Sequence, residues 1–191
     1  LLTTLASSMS VALESARLFV ETEQRAAELA IVNNISQAIA QRLDMQGIIR
    51  TVGDKVRDIF DAQVTFIGLV DHATKMVGLP YYVEDGTHFN EEPFPLGEGL
   101  TSFVINQRKR LIINEDFIAI AIKLGAKPSG SGKICKSWAG VPIVAGERVI
   151  GIISLQNYER EKAFPDSDVN LMTTIASSLG VAIENARLFD E

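Results

Sequence analysis

The sequence predicts an α+β fold: a central antiparallel sheet of five to six strands with helices packed on it, preceded by a long N-terminal helix. Three observations predict it. Residues 1–42 contain no proline or glycine and are rich in Ala, Leu, Glu, Gln and Arg, all strong helix formers. Residues 64–83 and 137–157 each read as two β-rich runs around a short polar turn, the signature of a hairpin and so of antiparallel pairing. Around these hairpins the apolar spacing changes to three and four, so helices are expected to cover the sheet.

Each element follows from its own residues. A helix over 1–42 would be about 60 Å long at 1.5 Å per residue. Within it Leu2, Leu5, Met9, Ala12, Ala16 and Phe19 keep the spacing of a coiled-coil seam. Leu29, Val32, Ser36, Ile39 and Leu43 keep the same spacing one residue out of frame, and the slip falls in the polar stretch 21–28, where supercoil winding would change. Asp44 fits the N-cap of a second helix with the stripe Ile48, Ile49, Val52, Val56, Ile59 and Phe60. Residues 64–70 and 76–83 form the first hairpin around a turn at 71–75, and the proline- and glycine-rich stretch 93–99 is a loop opening a short helix over 100–107. Leu111, Ile112 and Ile113 make a short buried strand. A short helix over 117–124 precedes the loop 127–133. Residues 137–144 and 148–157 form the second hairpin, and Asp166 or Ser167 caps the closing helix.

The chain has 191 residues, 47% hydrophobic and 22% charged, enough for one buried core. A net charge of −6 and a basic cluster no longer than Arg108-Lys109-Arg110 argue against nucleic acid as a partner, which takes a concentrated basic face. Its one cysteine, Cys135, excludes an internal disulfide framework and fits a reducing compartment, so a cytoplasmic location is expected. No apolar run reaches the roughly 18–20 residues of a membrane span and no signal peptide opens the chain, so no membrane contact is expected within it. The first 21 residues nearly repeat the last: LLTTLASSMSVALESARLFVE aligns with LMTTIASSLGVAIENARLFDE at 14 of 21 positions. Such a repeat reads as the tail of one unit followed by the whole of the next.

In PLGEGLTSFVINQRKRLIINED (Pro95–Asp116), SWAGVPIVAGERVIGIISLQN (Ser137–Asn157) and FPDSDVNLMTTIASSLGVAIENARL (Phe164–Leu188), the chain resembles the GAF family of small-molecule-sensing domains. The resemblance implies two parts: residues 1–27 as the end of a preceding GAF domain with a coiled-coil linker helix, and residues 28–191 as one GAF domain. It implies a ligand pocket on the sheet face opposite the terminal helices, under a lid made of the 100–107 helix and the 116–136 segment. It also implies a homodimer whose terminal helices carry signals, paired through Leu2, Leu5, Met9, Phe19, Leu29, Val32, Ile39, Ile175, Leu179 and Ile183. An output domain in the same chain, such as a sensor histidine kinase of a two-component system, would receive the signal. The expected function is therefore small-molecule sensing, with a ligand-free dimerisation and spacer module as the alternative.

Phe66, Tyr81, Phe94, Phe103, Ile118 and Trp138, with Cys135, are the candidate ligand-binding residues; an apolar cavity with a few polar groups is the usual form of such a site, although the same residues could fill a core. The ligand itself is unknown. Cyclic-nucleotide-binding members carry an Asn-Lys, Phe, Asp-Glu motif. Here Asn157, Phe164 and Asp168 match, but Tyr158 and Val169 replace the Lys and the Glu, which removes the ion-pair partner of the Asp. The three matching residues then read as turn, core and helix cap. Bilin attachment uses a Cys usually followed by His, whereas Cys135 is followed by Lys136. Free methionine sulfoxide reductases of this fold need a second thiol to resolve the oxidised one, so no enzyme is expected. A lone exposed Cys135 flanked by Lys133 and Lys136 would have a lowered pKa and suit a redox sensor, whereas a small buried or loop cysteine is the commoner case. His72 and His88 lack matched spacing, so no metal site is expected. Gly130-Ser131-Gly132-Lys133 lacks the leading glycine and trailing Ser or Thr of a phosphate loop, with Lys127 and Ile134 in their places, which rejects nucleotide hydrolysis.

Overall fold

The structure, a computed structural model, describes residues 45–126 and 133–190. The N-terminal helix, its seam positions and the phase slip at 21–28 lie outside the described residues.

Helix α1 (Met45–Ile59) buries Ile48, Ile49, Val52 and Val56, as their spacing predicts. Of the last two stripe residues, Phe60, just past the helix, is buried as expected, while Ile59 is 43% exposed. Strands β1 (Val64–Asp71) and β2 (Met76–Glu84) form the first hairpin. The Asp71 carboxylate closes its turn by accepting bonds from the Ala73 and Thr74 N–H groups at 2.8 and 3.2 Å. Two-residue strands β3 (Thr87–His88) and β4 (Phe94–Pro95) add to β2. Among the described residues they bring the sheet to seven strands, the two shortest having no periodicity to read.

Helix α2 (Leu100–Gln107), strand β5 (Leu111–Ile113) and helix α3 (Phe117–Lys123) follow. Strands β6 (Ser137–Ala145) and β7 (Arg148–Asn157) form the second hairpin, and helix α4 (Asp166–Asp190) closes the fold. Neither Asp166 nor Ser167 is the cap of α4, because the Pro165 carbonyl already accepts bonds from the N–H groups of Asp168 and Val169 at 3.0 and 3.2 Å. All strand pairs are antiparallel, in the order β3-β2-β1-β7-β6-β5 with β4 also on β2.

The sheet is covered on both faces. Helices α1 and α4 cover one, sharing a core of Ile67, Val141, Ile153 and Leu155 with Val52, Val56, Met172 and Leu179. On the other face Leu100, Val104 and Ile105 of α2, with Ala121 of α3, pack over Phe66, Trp138 and Ile152. This burial corrects one expectation: Ile175, Leu179 and Ile183 face this chain's own sheet, and side chains buried there cannot form a seam with a second chain. Among the residues of α4 whose burial is described, the exposed large apolar one is Val181.

Two backbone approaches set how tightly the layers close. A Cβ at Gly180 of α4 would lie 2.1 Å from the Val144 carbonyl oxygen of β6, and one at Gly151 of β7 would lie 2.2 Å from the Gly68 carbonyl oxygen. Gly180→Ala is therefore expected to destabilise the protein by about 2 kcal/mol or more, since backbone must move to admit the methyl group. The opposite sign is expected for Thr65→Val. Thr65 is buried, its hydroxyl has no hydrogen-bond partner, and its register partners Val83 and Leu155 belong to the helix-side core. Removing that hydroxyl while keeping the shape should stabilise the fold by about 1 kcal/mol. Urea-unfolding midpoints of the two variants check both signs.

Candidate functional site

Residues paired across an antiparallel sheet share a face, so the register lays out the surface beneath α2 and α3. Phe66 of β1 pairs with Tyr82 of β2 and Ser154 of β7, and Ser154 pairs with Gly140 of β6. The neighbouring row is Glu84, Val64, Gln156 and Trp138. The Trp138 indole lies across Gly140, where a Cβ would be 2.2 Å from the ring. The glycine thus makes room for the ring.

At the β2 end of this face, aromatic rings and charges meet. The Phe66 and Tyr82 rings stack at 6.2 Å, and Phe89 stands edge-on to Tyr82 at 6.1 Å. The Tyr82 hydroxyl donates to Glu84 Oε2 at 3.3 Å. Lys133 Nζ lies 3.6 Å from Glu84 Oε1, bonds Asp85, and sits 5.4 Å from the centre of the Tyr158 ring. Burial, then the Glu84 charge, pushes the Tyr82 phenol up to about 12. The Tyr158 phenol is raised for the same two reasons. Lys133 is held cationic above its ordinary range, chiefly by its bond to Asp85. Nearer the centre of the sheet, Ser154 is 0% exposed and its hydroxyl makes no hydrogen bond.

The structure brings Phe66, Phe94, Cys135 and Trp138 together on this face, while Phe103 is half-buried on α2 and Ile118 points outward from α3. Tyr81 is separated from them. It faces α1, its ring fills the space a side chain at Gly53 would need, and its hydroxyl donates to Asp54 Oδ1 at 3.0 Å. Its neighbour Tyr82 is the tyrosine on the lid side, because successive strand residues point to opposite faces.

Cys135 takes the commoner buried form, and not the exposed one a redox sensor would use. It is buried, its thiol donates to the Ser137 carbonyl at 3.0 Å, and burial pushes it up to about 12. Lys133 does not flank the sulfur, since its ammonium is held by Glu84 and Asp85; Lys136 bonds the Glu159 carbonyl. This environment favours the neutral thiol over an activated thiolate. The residues of the cyclic-nucleotide motif serve structure: Asn157 Oδ1 accepts from the Glu159 and Arg160 N–H groups at 3.0 and 2.9 Å, and Phe164 is buried in the helix-side core. Asp168 lies in the first turn of α4, where its charge suits the helix dipole, rather than at the cap. His72 bonds the Val149 carbonyl and His88 packs edge-on against Tyr81. A shallow hollow of about 300 Å³ beside His72, Asn106 and Arg108 is a weaker candidate, because His72 and Arg108 are already bonded to the Val149 and Glu147 carbonyls.

A family model described as GAF domain matches residues 42–184. The formate hydrogenlyase transcriptional activator FhlA of Escherichia coli is 24% identical over 168 residues, which cover 82% of this chain and 23% of that protein. The chain thus spans about a quarter of the length of this relative. Among solved structures, the GAF domain of an Acinetobacter phosphoenolpyruvate-protein phosphotransferase superimposes with a TM-score of 0.70 at 19% identity, covering 85% of this chain and 95% of that one. The free methionine-R-sulfoxide reductase of Neisseria meningitidis, solved with its substrate, gives 0.69 at 16% identity, covering 86% and 92%.

The burial of Cys135 has a measurable consequence. A thiol at about 12 holds roughly a thousandfold less thiolate at pH 8 than one in an unfolded chain. Iodoacetamide should therefore alkylate Cys135 at least a thousandfold more slowly in the native protein than in 8 M urea, as followed by mass spectrometry.

Proposed function

Because this chain belongs to the GAF domain family, whose members are sensory and regulatory domains of signalling proteins, we propose that it is a small-molecule-sensing module. It binds ligand between the sheet and α2 and α3, and passes the effect through its terminal helices to an output domain. One observation carries this reading. On the helix-covered face the polar groups are bonded within the protein (Tyr81 to Asp54, Ser137 to the Arg160 carbonyl, Asn157 to the Asp61 carbonyl) apart from Thr65, whereas the lid-covered face sets aromatic rings beside Glu84, Lys133 and the unbonded hydroxyl of Ser154. A few polar groups among apolar walls is how small-ligand sites are built.

The route to the helices is a set of hydrogen bonds. Cys135 on the lid side bonds Ser137, and the Lys136 N–H donates to the Asn157 carbonyl at 2.8 Å. Ser137 Oγ donates to the Arg160 carbonyl at 3.0 Å and accepts from the Ala163 N–H at 3.2 Å. Asn114 clasps Phe164 by both its N–H and its carbonyl. The segment leading into α4 is thus tied to the segment leading out of the lid. A ligand that favours one of two lid arrangements would shift where α4 begins, the kind of small displacement that helical signalling elements transmit. Dimerisation uses the N-terminal helix and the outward side of α4, which carries Val181, instead of the buried Ile175, Leu179 and Ile183.

Native mass spectrometry of the protein purified from cells tests this, read for oligomer mass and retained small molecules. A dimer carrying a ligand is the expected outcome. A dimer with nothing bound, and no ligand found by metabolite screening, replaces sensing with a ligand-free spacer role.

A further inference from the structure

The lid-side face already holds one organic cation, and it belongs to the protein. Lys133 Nζ is surrounded by the carboxylates of Glu84 and Asp85 and by the face of the Tyr158 ring, with Tyr82 bonded to the same Glu84. Two carboxylates and aromatic faces form the environment that recognises a free ammonium group. Most of this site stands without Lys133: Phe66, Tyr82 and Glu84 lie on strands, Tyr158 follows β7 with its N–H donating to Gln63 Oε1 at 3.1 Å, and the Asp85 N–H donates to the Gln63 carbonyl at 2.8 Å. Lys133 itself lies outside any helix or strand and its side chain is nearly half exposed.

A second, independent feature lies on the same face. The buried Ser154 hydroxyl has no partner although its neighbours in the row are Phe66 and Gly140. Buried hydroxyls are nearly always bonded; Thr65 is open too, but it lies in the helix-side core, whereas Ser154 lies beside the aromatic wall that ends at the Glu84 carboxylate. Two strand spacings, about 10 Å, separate the β2 end of the face from Ser154. That is the span of one ring with a short amine arm.

We propose that the sensing site takes a small organic ammonium compound: its charged nitrogen displaces Lys133 from Glu84 and Asp85, its apolar body lies along Phe66 and Tyr82, and a polar group at its far end meets Ser154. The inference rests on the sensing function proposed above and adds the chemical class of the ligand. In it Lys133 acts as a tethered competitor. Its effective concentration at the carboxylates sets a threshold below which the ligand does not bind, and its release on binding frees the segment running into Cys135 and Ser137.

Titration calorimetry with tyramine, and with its neutral analogue tyrosol in which a hydroxyl replaces the amine, tests the proposal on the whole chain. Tyramine should bind at least tenfold more tightly than tyrosol. Lys133→Ala should tighten tyramine binding about tenfold by removing the competitor, and Glu84→Gln should weaken it by a similar factor. Ser154→Ala should weaken tyramine binding while raising the melting temperature, since it deletes an unbonded buried hydroxyl. Equal affinities for amine and alcohol, or unchanged binding in Lys133→Ala, would overturn the proposal. So would a neutral or anionic ligand retained in native mass spectrometry, an outcome that leaves the sensing function standing. A protein that binds neither probe, as wild type or as Lys133→Ala, and retains nothing from cells loses both.

Discussion

The central strands of this sheet are buried on both faces, and the rest of the fold follows from that constraint. Val64, Phe66 and Ile152 point one way and Ile67, Ile153 and Leu155 the other, all nearly free of solvent contact. An antiparallel sheet commonly keeps one face in water. Here the apolar residues on both faces demand two covering layers from a single chain. The long, regular helices supply one, and the short elements between the hairpins supply the other. The two layers therefore differ in kind. Helix α4 lies so close to β6 that Gly180 cannot carry a side chain, whereas the lid is built from an eight-residue helix, a seven-residue helix and the segment before β6.

That difference assigns the roles of the faces. Long helices contribute many contacts per element and close a dry, rigid core, so the helix side gives the fold its stability. Short elements contribute few, and regions with few buried contacts are the ones that rearrange at low cost. Polar groups follow the same division. On the helix side the buried Tyr81 hydroxyl is matched with Asp54, while on the lid side Glu84, Lys133, Tyr82 and Tyr158 satisfy one another around a cation from a segment outside any helix or strand.

Much of this was legible in the sequence. Both hairpins, α1, α2, β5, α3 and α4 fall where apolar spacing and turn residues place them, because each is decided by neighbours within a few positions. What depended on distant partners was harder to read. Tyr81 and Tyr82 are adjacent and similar, and only the register against Phe66 decides which one faces the lid. Cys135 carries two nearby lysines in sequence, but the lysines go to Glu84, Asp85 and the Glu159 carbonyl, and the thiol goes inward. The stripe of Ile175, Leu179 and Ile183 suits a sheet as well as a partner helix, since both present an apolar surface to one side of a helix. The cluster around Glu84 left no motif, because its members come from four separate segments.

The replacement of Lys by Tyr158 in the cyclic-nucleotide motif then gains a physical meaning. At that position a lysine would place a fixed cation beside Glu84 on the rigid end of β7. Tyr158 instead offers a neutral ring, and the cation comes from Lys133 on the lid side. An ammonium on the strand end would swing away on its own side chain and leave the backbone where it is. One on the lid side is carried by the chain that runs directly into Cys135, Lys136 and Ser137, so under the proposed function its departure would move that chain. Those residues hold the Asn157 and Arg160 carbonyls and the Ala163 N–H, three groups on the segment that launches α4. Under the proposed function, a positive charge placed on the lid and not on the sheet would couple occupancy of the aromatic site to the position of the C-terminal helix, through bonds that already exist.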